Sequence, residues 1–397
     1  MIPSSPRFLL ASLTRGTSVT NHKHKLSRHL NTMATSRTIQ ITPANTGLLH
    51  IKQSEAAAKK TTELLQADLE IHHCFFNKLG FHNHISHHLL ALYGIGASPE
   101  DIQKGYHDNT GYQRTAFQLH PDQIEELRDF AQAKKKLGKE EFYPDFLAFF
   151  QDEIDKKGWK DVVNESLFKG DERSEDMLIR MFASFLHPII QLMYGIEWEQ
   201  PAIVAMALAQ AAVHKEDLRD VILAAEDAAR KSSEPMPEIA RLFQDVAADE
   251  KLATAARSSE SGRTHDVTRE GVIARAEDAF LRIASKVKVG PEELEARTAE
   301  MYNTIVYQAA GAALRQGKEP RFDFFLMHHV NVGPLFIAIN SHDWIPTAAK
   351  ARLLEWKIRL DLLEFTARGC PPTSLETIAS YVPKEKTRKP TAGKSGG

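Results

Sequence analysis

The stretch Ala202-Ile-Val-Ala-Met-Ala-Leu-Ala-Gln-Ala-Ala-Val213 decides the fold class. Half of its residues are alanine and only Gln210 is polar. Alanine is the best helix former and is depleted in strands, so the stretch predicts a helix that is apolar all round and therefore buried. Working outward, Ser98-Pro99-Glu100-Asp101 sets an N-cap, a proline at the first helical position and acids in the first turn. Gly290-Pro291-Glu292-Glu293 repeats that signal and opens a helix predicted to run to about Gly317. Thr347 caps another, predicted to end near Arg368, before Gly369 and Pro371-Pro372. Strand-like alternation is scarce, Thr38–Thr42 being one of few candidates. No period of 20–50 residues recurs, which argues against a solenoid. The reading is an all-α protein with a single large multi-helix domain over 55–382, a polar internal loop at about 247–270 and disordered termini.

Composition narrows the function classes. The 397 residues are 42% hydrophobic and 26% charged, as in ordinary globular chains. Cys74 and Cys370 are the only cysteines, which excludes a disulfide framework or a cysteine-rich zinc site. Residues 1–54 carry seven Lys or Arg and no acid, and 383–397 carry a net +4. Since the whole chain is −2, the remaining 55–382 carry −13. A body that acidic offers no footprint for a phosphate backbone, so nucleic acid is not an expected partner. No transmembrane span is expected: the best apolar run, Phe185–Trp198, is interrupted by His187, Pro188 and Gln191. The acid-free first 54 residues suit either a basic disordered tail on a cytoplasmic protein or a mitochondrial transit peptide. Met33 is a second candidate start, and Pro383–Gly397 reads as a solvated tail.

Histidine is where the sequence departs from the ordinary. Six of the 18 histidines, at 72, 73, 82, 84, 87 and 88, fall within 17 positions. In Phe81-His-Asn-His-Ile-Ser-His-His-Leu-Leu90, a helix would stack His84 and His88 on one face, with His87 at its border. Two neutral imidazoles so placed suit zinc, copper, iron or nickel. His187 and His328 lie in apolar settings far downstream, where an imidazole costs free energy unless bonded or ligated. His329 points about 100° away from His328 on a helix, which suits an orienting or surface role. Lys357, with Leu353, Leu354 and Leu360 around it, falls beside an apolar stripe, or else snorkels to pair with Asp361. Gly94-Ile-Gly96 lacks the third glycine of a dinucleotide loop. No P-loop, Gly-x-Ser-x-Gly or His-Glu-x-x-His is present. A di-iron bundle needs two Glu-x-x-His motifs, and only Glu70-Ile-His-His73 offers one.

The stretches Gly80–Ser98, Leu186-His-Pro-Ile-Ile190 with Tyr194-Gly-Ile-Glu197, and Phe325-Leu-Met-His328 resemble the questin oxidase-like proteins of fungal polyketide pathways. The resemblance implies Baeyer–Villiger-type oxidation or oxidative ring opening of an anthraquinone-like aromatic polyketide with O2, in some members with NADPH. It also implies a mononuclear non-haem iron held by several histidines and a carboxylated lysine. Carried over, these are His84, His187 and His328, with Lys357 as the lysine. A further histidine common in such proteins corresponds here to Gln191, so His88 or His87 supplies that ligand, or the sphere has one fewer. Burial beside Leu353 and Leu354 would favour the neutral amine that carboxylation needs. Asn83 and Glu197 are candidates for orienting imidazoles. Tyr93, Tyr194, Trp198 and Phe324 either line a pocket for a flat substrate or fill the core. The competing reading is a non-catalytic helical binding protein whose histidines are structural.

Overall fold

The structure, a computed structural model, describes residues 33–256 and 267–383. Every regular element in that part is helical, and the only β features are two isolated bridges, His72 with Thr115 and Phe75 with His82. The helices that position the site are α1 (Glu55–Ile71), α2 (Ile85–Gly94), α3 (Pro99–Thr110), α4 (Tyr143–Lys157), α5 (Glu172–Met181), α6 (Ala183–Glu197), α7 (Pro201–Ala212), α8 (Leu294–Ala313), α9 (Phe324–Val332) and α10 (Thr347–Ala367).

Helix α7 is buried along its whole length, as its composition requires, and packs chiefly on α6 and α4. The α6–α7 crossing is close because Gly195 leaves no side chain between them: a Cβ there would lie 2.9 Å from the Val204 amide nitrogen. Ser98 caps α3 by accepting from the Asp101 amide, and α10 ends before Gly369 at φ +78°. The Gly290-Pro291 signal opens a short 3₁₀ turn that leads into α8, which stops at Ala313.

Three expectations about chain organisation change. Residues 33–54 are packed rather than a tail. The Thr38–Thr42 segment is extended but joins no sheet; the Gln66 Oε1 and Thr62 Oγ1 atoms on α1 accept from the Ile39 and Ile41 amides at 2.8 and 2.9 Å. Those bonds lay both isoleucines into a second core cluster with Leu65 and Tyr93. The segment expected as a polar loop at 247–270 contains the Glu250–Ala255 helix and the start of a π-helical turn, Val267–Ile273. Its remainder, 257–266, lies outside the described residues, as do 1–32 and 384–397, where the transit-peptide and tail readings fall.

Among the described residues no single helix is long and apolar enough to cross a membrane. Helices α5 and α6 would be long enough only together, and they meet at 99°. The bend is made by Ser184, Phe185 and Leu186, all left-handed at φ 46°, 57° and 66°. Three successive side-chain-bearing residues in that region cost about 1–2 kcal/mol each, so the surrounding packing must hold the turn in place.

Candidate metal centre

The histidine-rich segment does not fold as its spacing suggests. Asn83 Oδ1 accepts from the Ile85 amide and its Nδ2 donates to Asp68 at 2.7 Å, so Asn83 ties down the approach to α2 instead of orienting an imidazole. The helix therefore starts at Ile85, and His84 stands at its entrance with a non-helical backbone (φ −102°, ψ 1°). His84 is the N-cap residue, its carbonyl accepting from the His88 amide at 2.9 Å, and His88 is not in the group whose ring nitrogens converge with it. His88 is half-exposed and its Nδ1 meets Asn109 Nδ2 at 3.0 Å.

The His84 ring instead meets side chains from α6 and α9. The left-handed turn swings His187 inward, and its Nδ1–H donates to the Ser184 carbonyl at 2.7 Å. On α9, which Asp323 caps through the Phe325 and Leu326 amides, His328 Nδ1–H donates to the Phe324 carbonyl at 2.6 Å. Both bonds select the tautomer whose Nε2 carries the free lone pair. His84 Nε2 and His187 Nε2 lie 3.1 Å apart, and one ring nitrogen from each of His84, His187 and His328 lies within 4.8 Å of the other two. Burial lowers the pKa of all three, that of His328 to about 4, so they are neutral near pH 7. Three neutral, convergent imidazoles, two of them oriented by backbone carbonyls, could hold a divalent transition metal.

Other histidines surround this group. His87 packs edge-on to His84 with centroids 5.1 Å apart, and its Nδ1 is buried without a hydrogen-bond partner among the described residues. His82 stacks on His187 at 3.7 Å and meets His214 Nε2 to Nε2 at 2.8 Å. His214 follows α7 as a lone histidine before Lys215, and nothing in its local sequence announces that contact. Gln191, in the position considered for a further ligand, is buried and accepts from Gln210 at 2.9 Å. His72 and His73 stand apart, bonded to Asp68 and to the Glu140 carbonyl.

Lys357 is fully buried, so it does not snorkel; its Nζ nevertheless bonds Asp361 and lies 3.6 Å from Met301 Sδ. Asp361 also accepts from His329 Nδ1 at 2.6 Å. His329 is thus a core residue turned about 100° from His328 on α9, bonded to Asp361 rather than at the surface or among the three convergent imidazoles. Burial pushes the Lys357 amine down, against the opposing pull of Asp361. Glu197 accepts from the Leu48 amide and touches no imidazole. Tyr93 and Trp198 fill the second core cluster, whereas Tyr194 faces His87 at 5.9 Å and Phe324 packs on His328 at 4.8 Å.

Residues 81–394 match the family described as Questin oxidase-like. The chain is 34% identical over 353 residues to a questin oxidase of Aspergillus terreus, covering 88% of this chain and 78% of that protein. It is 37% identical over 324 residues to a Baeyer-Villiger oxidase of Emericella nidulans, covering 81% and 72%. A Baeyer-Villiger oxidase of Pestalotiopsis fici is 32% identical over 354 residues, covering 89% and 79%.

Proposed function

Because the chain belongs to the questin oxidase-like family, we propose that it is an oxidoreductase acting on an aromatic polyketide of anthraquinone type, by Baeyer–Villiger-type oxidation or ring cleavage. In this reading it uses O2 at a mononuclear Fe(II) centre, with NADPH as the external reductant where the reaction needs one. The observation that carries the proposal is the convergence of His84, His187 and His328. The donor set fits a metal. Imidazole nitrogens bound about 2.1 Å from one ion are about 3.0 Å apart at a right angle and about 4.2 Å apart when opposite. The 3.1 Å pair matches the right-angle value, and the third nitrogen, within 4.8 Å of both, would close on the ion by a small side-chain shift. The orphaned His87 Nδ1 marks His87, rather than His88, as the candidate fourth nitrogen.

Iron in this place supplies the binding and activation of dioxygen, which no organic side chain provides. The chain's own groups hold the imidazoles. The Ser184 and Phe324 carbonyls set two tautomers, and Phe185 and Phe324 pack against the His328 ring and shield it from water. Lys357 is a separate case. Its buried amine favours the neutral form that carboxylation needs, but a carbamate there would face the Asp361 carboxylate. Lys357 therefore joins the ligand set only if Asp361 is protonated or turns away.

The test is elemental analysis of protein purified without a histidine tag, followed by turnover of anthraquinones with Fe(II), with and without NADPH. Near-stoichiometric iron and oxygen-dependent product are expected. Less than about a tenth of an equivalent of any transition metal removes the basis of the proposal and leaves the non-catalytic reading.

A further inference from the structure

A cavity of about 560 Å³ adjoins the three histidines without being lined by their rings. Its size is within the range of about 300–1,000 Å³ usual for small-molecule sites. Ser184, Phe185 and Leu186 form one wall, so the same strained turn that orients His187 also separates it from this cavity. The other walls are mostly apolar and aromatic, with Phe182, Phe325, Trp356, Leu360 and Leu363. Phe185 touches both sides, packing on the Phe325 ring at 4.8 Å and on His328 at 5.9 Å.

Two polar groups in the lining are not used by the fold. Trp356 is almost fully buried and its Nε1–H has no partner among the described residues, an uncommon state for a buried donor. His329 lines the same cavity, and Asp361 takes its Nδ1–H, which leaves Nε2 as an acceptor with no hydrogen bond among the described residues. The aromatic and aliphatic wall, with a spare donor on Trp356 and a spare acceptor on His329, suits a flat aromatic molecule that carries both a carbonyl and a hydroxyl, while Lys78, Glu140, Lys215, Glu216, Asp217 and Arg368 make the rest of the lining charged.

We propose that this cavity is the substrate chamber, in which Trp356 Nε1–H donates to a ring carbonyl and His329 Nε2 accepts from a ring hydroxyl of a hydroxylated polycyclic aromatic ketone. The assignment rests on the proposed function for the reaction, but binding is measured apart from it. Both residues are specificity determinants, and Phe185 is the contact between the bound ring and the histidines.

Metal-free full-length protein is titrated calorimetrically with 2,6-dihydroxyanthraquinone and with unsubstituted anthraquinone. The dihydroxy compound is expected to bind about tenfold more tightly. Trp356→Phe, which keeps a ring of similar shape, is expected to weaken its binding about fivefold, and His329→Phe to abolish the preference over anthraquinone. Thr268→Trp, at a half-buried position in the lining, is expected to block both ligands with an unchanged melting temperature. Equal binding of the two compounds, or binding untouched by all three substitutions, overturns the chamber. If binding follows the substitutions but the iron-loaded enzyme oxidises no aromatic ketone, the chamber stands and the proposed reaction falls. If the enzyme turns over with a KM that ignores Trp356→Phe and Thr268→Trp, the reaction stands and the chamber falls.

Discussion

The Nε2 atoms of His84 and His187, from segments 103 residues apart, face each other at 3.1 Å. His187 has committed its Nδ1–H to the Ser184 carbonyl, so its Nε2 presents a lone pair. His84 must meet that lone pair with its own N–H or share a cation with it. Two imidazoles bound side by side on one ion would be spaced in the same way.

His84 is partly exposed, so its removal tests ligation without breaking the core. His84→Ala is expected to lower bound iron at least about tenfold with an unchanged far-ultraviolet circular dichroism spectrum. His87→Ala is expected to lower it as well, whereas His88→Ala keeps it, because the His88 ring is turned to Asn109. The reverse order for positions 87 and 88 would restore the pairing first suggested by helical spacing.

Lys357→Met keeps most of the side-chain volume while removing the amine. If Lys357 is a carboxylated ligand, the variant loses its iron yet stays folded, and the wild type gives a carbamate carbon signal after growth with labelled bicarbonate. Full iron occupancy in Lys357→Met would confine the lysine to the Asp361–His329 chain. Removing one partner of such a buried pair costs about 3–5 kcal/mol, so urea denaturation of the variant should show a clear loss in either case.

Acid is expected to weaken the metal-free fold. Burial holds His214 down to about 3 and His328 to about 4, against an ordinary value of 6.5. The unfolded chain then binds more protons than the folded one between those values and 6.5. Stability is complete above about pH 6.5 and falls as pH drops toward 4 and 3. Urea midpoints at pH 7.5, 6 and 5 should decline in that order, and His214→Gln should flatten the decline. A midpoint independent of pH over this range would contradict the buried neutral state.

Gly195→Ala is expected to destabilise the protein by about 1–3 kcal/mol, since the added methyl meets backbone rather than a movable side chain. Iron affinity should fall with it, because α6 also carries His187. A neutral effect in thermal unfolding would mean that the α6–α7 contact is looser than described.

Much of the fold was legible locally. The alanine-rich run of α7, the Ser98-Pro99 start of α3 and the Gly369 stop of α10 act within one or two turns of chain, and each forms where its sequence predicts. The packing of 33–54 was not legible, because Ile39 and Ile41 find their partners on α1 through side-chain oxygens rather than a strand ladder. For the site, the apolar settings of His187 and His328 were informative, since an imidazole in such surroundings needs a partner wherever the chain goes. The pairing of His84 with His88 failed because the helix begins at Ile85, one residue after the ring that mattered. His87 was legible only as an alternative to His88, and His214 and the Asp361–His329 bond have no local signature at all.

The sequence by itself therefore determined a helical protein, rich in histidine at buried positions, of the questin oxidase-like family. Helix formation and burial are set by neighbours within a few residues. Which nitrogens meet, and which cavity lies beside them, was decided only in three dimensions. A left-handed turn at 184–186 and the Asn83 bonds to the Ile85 amide and Asp68 set two rings, and nothing short of the packed core holds either in place.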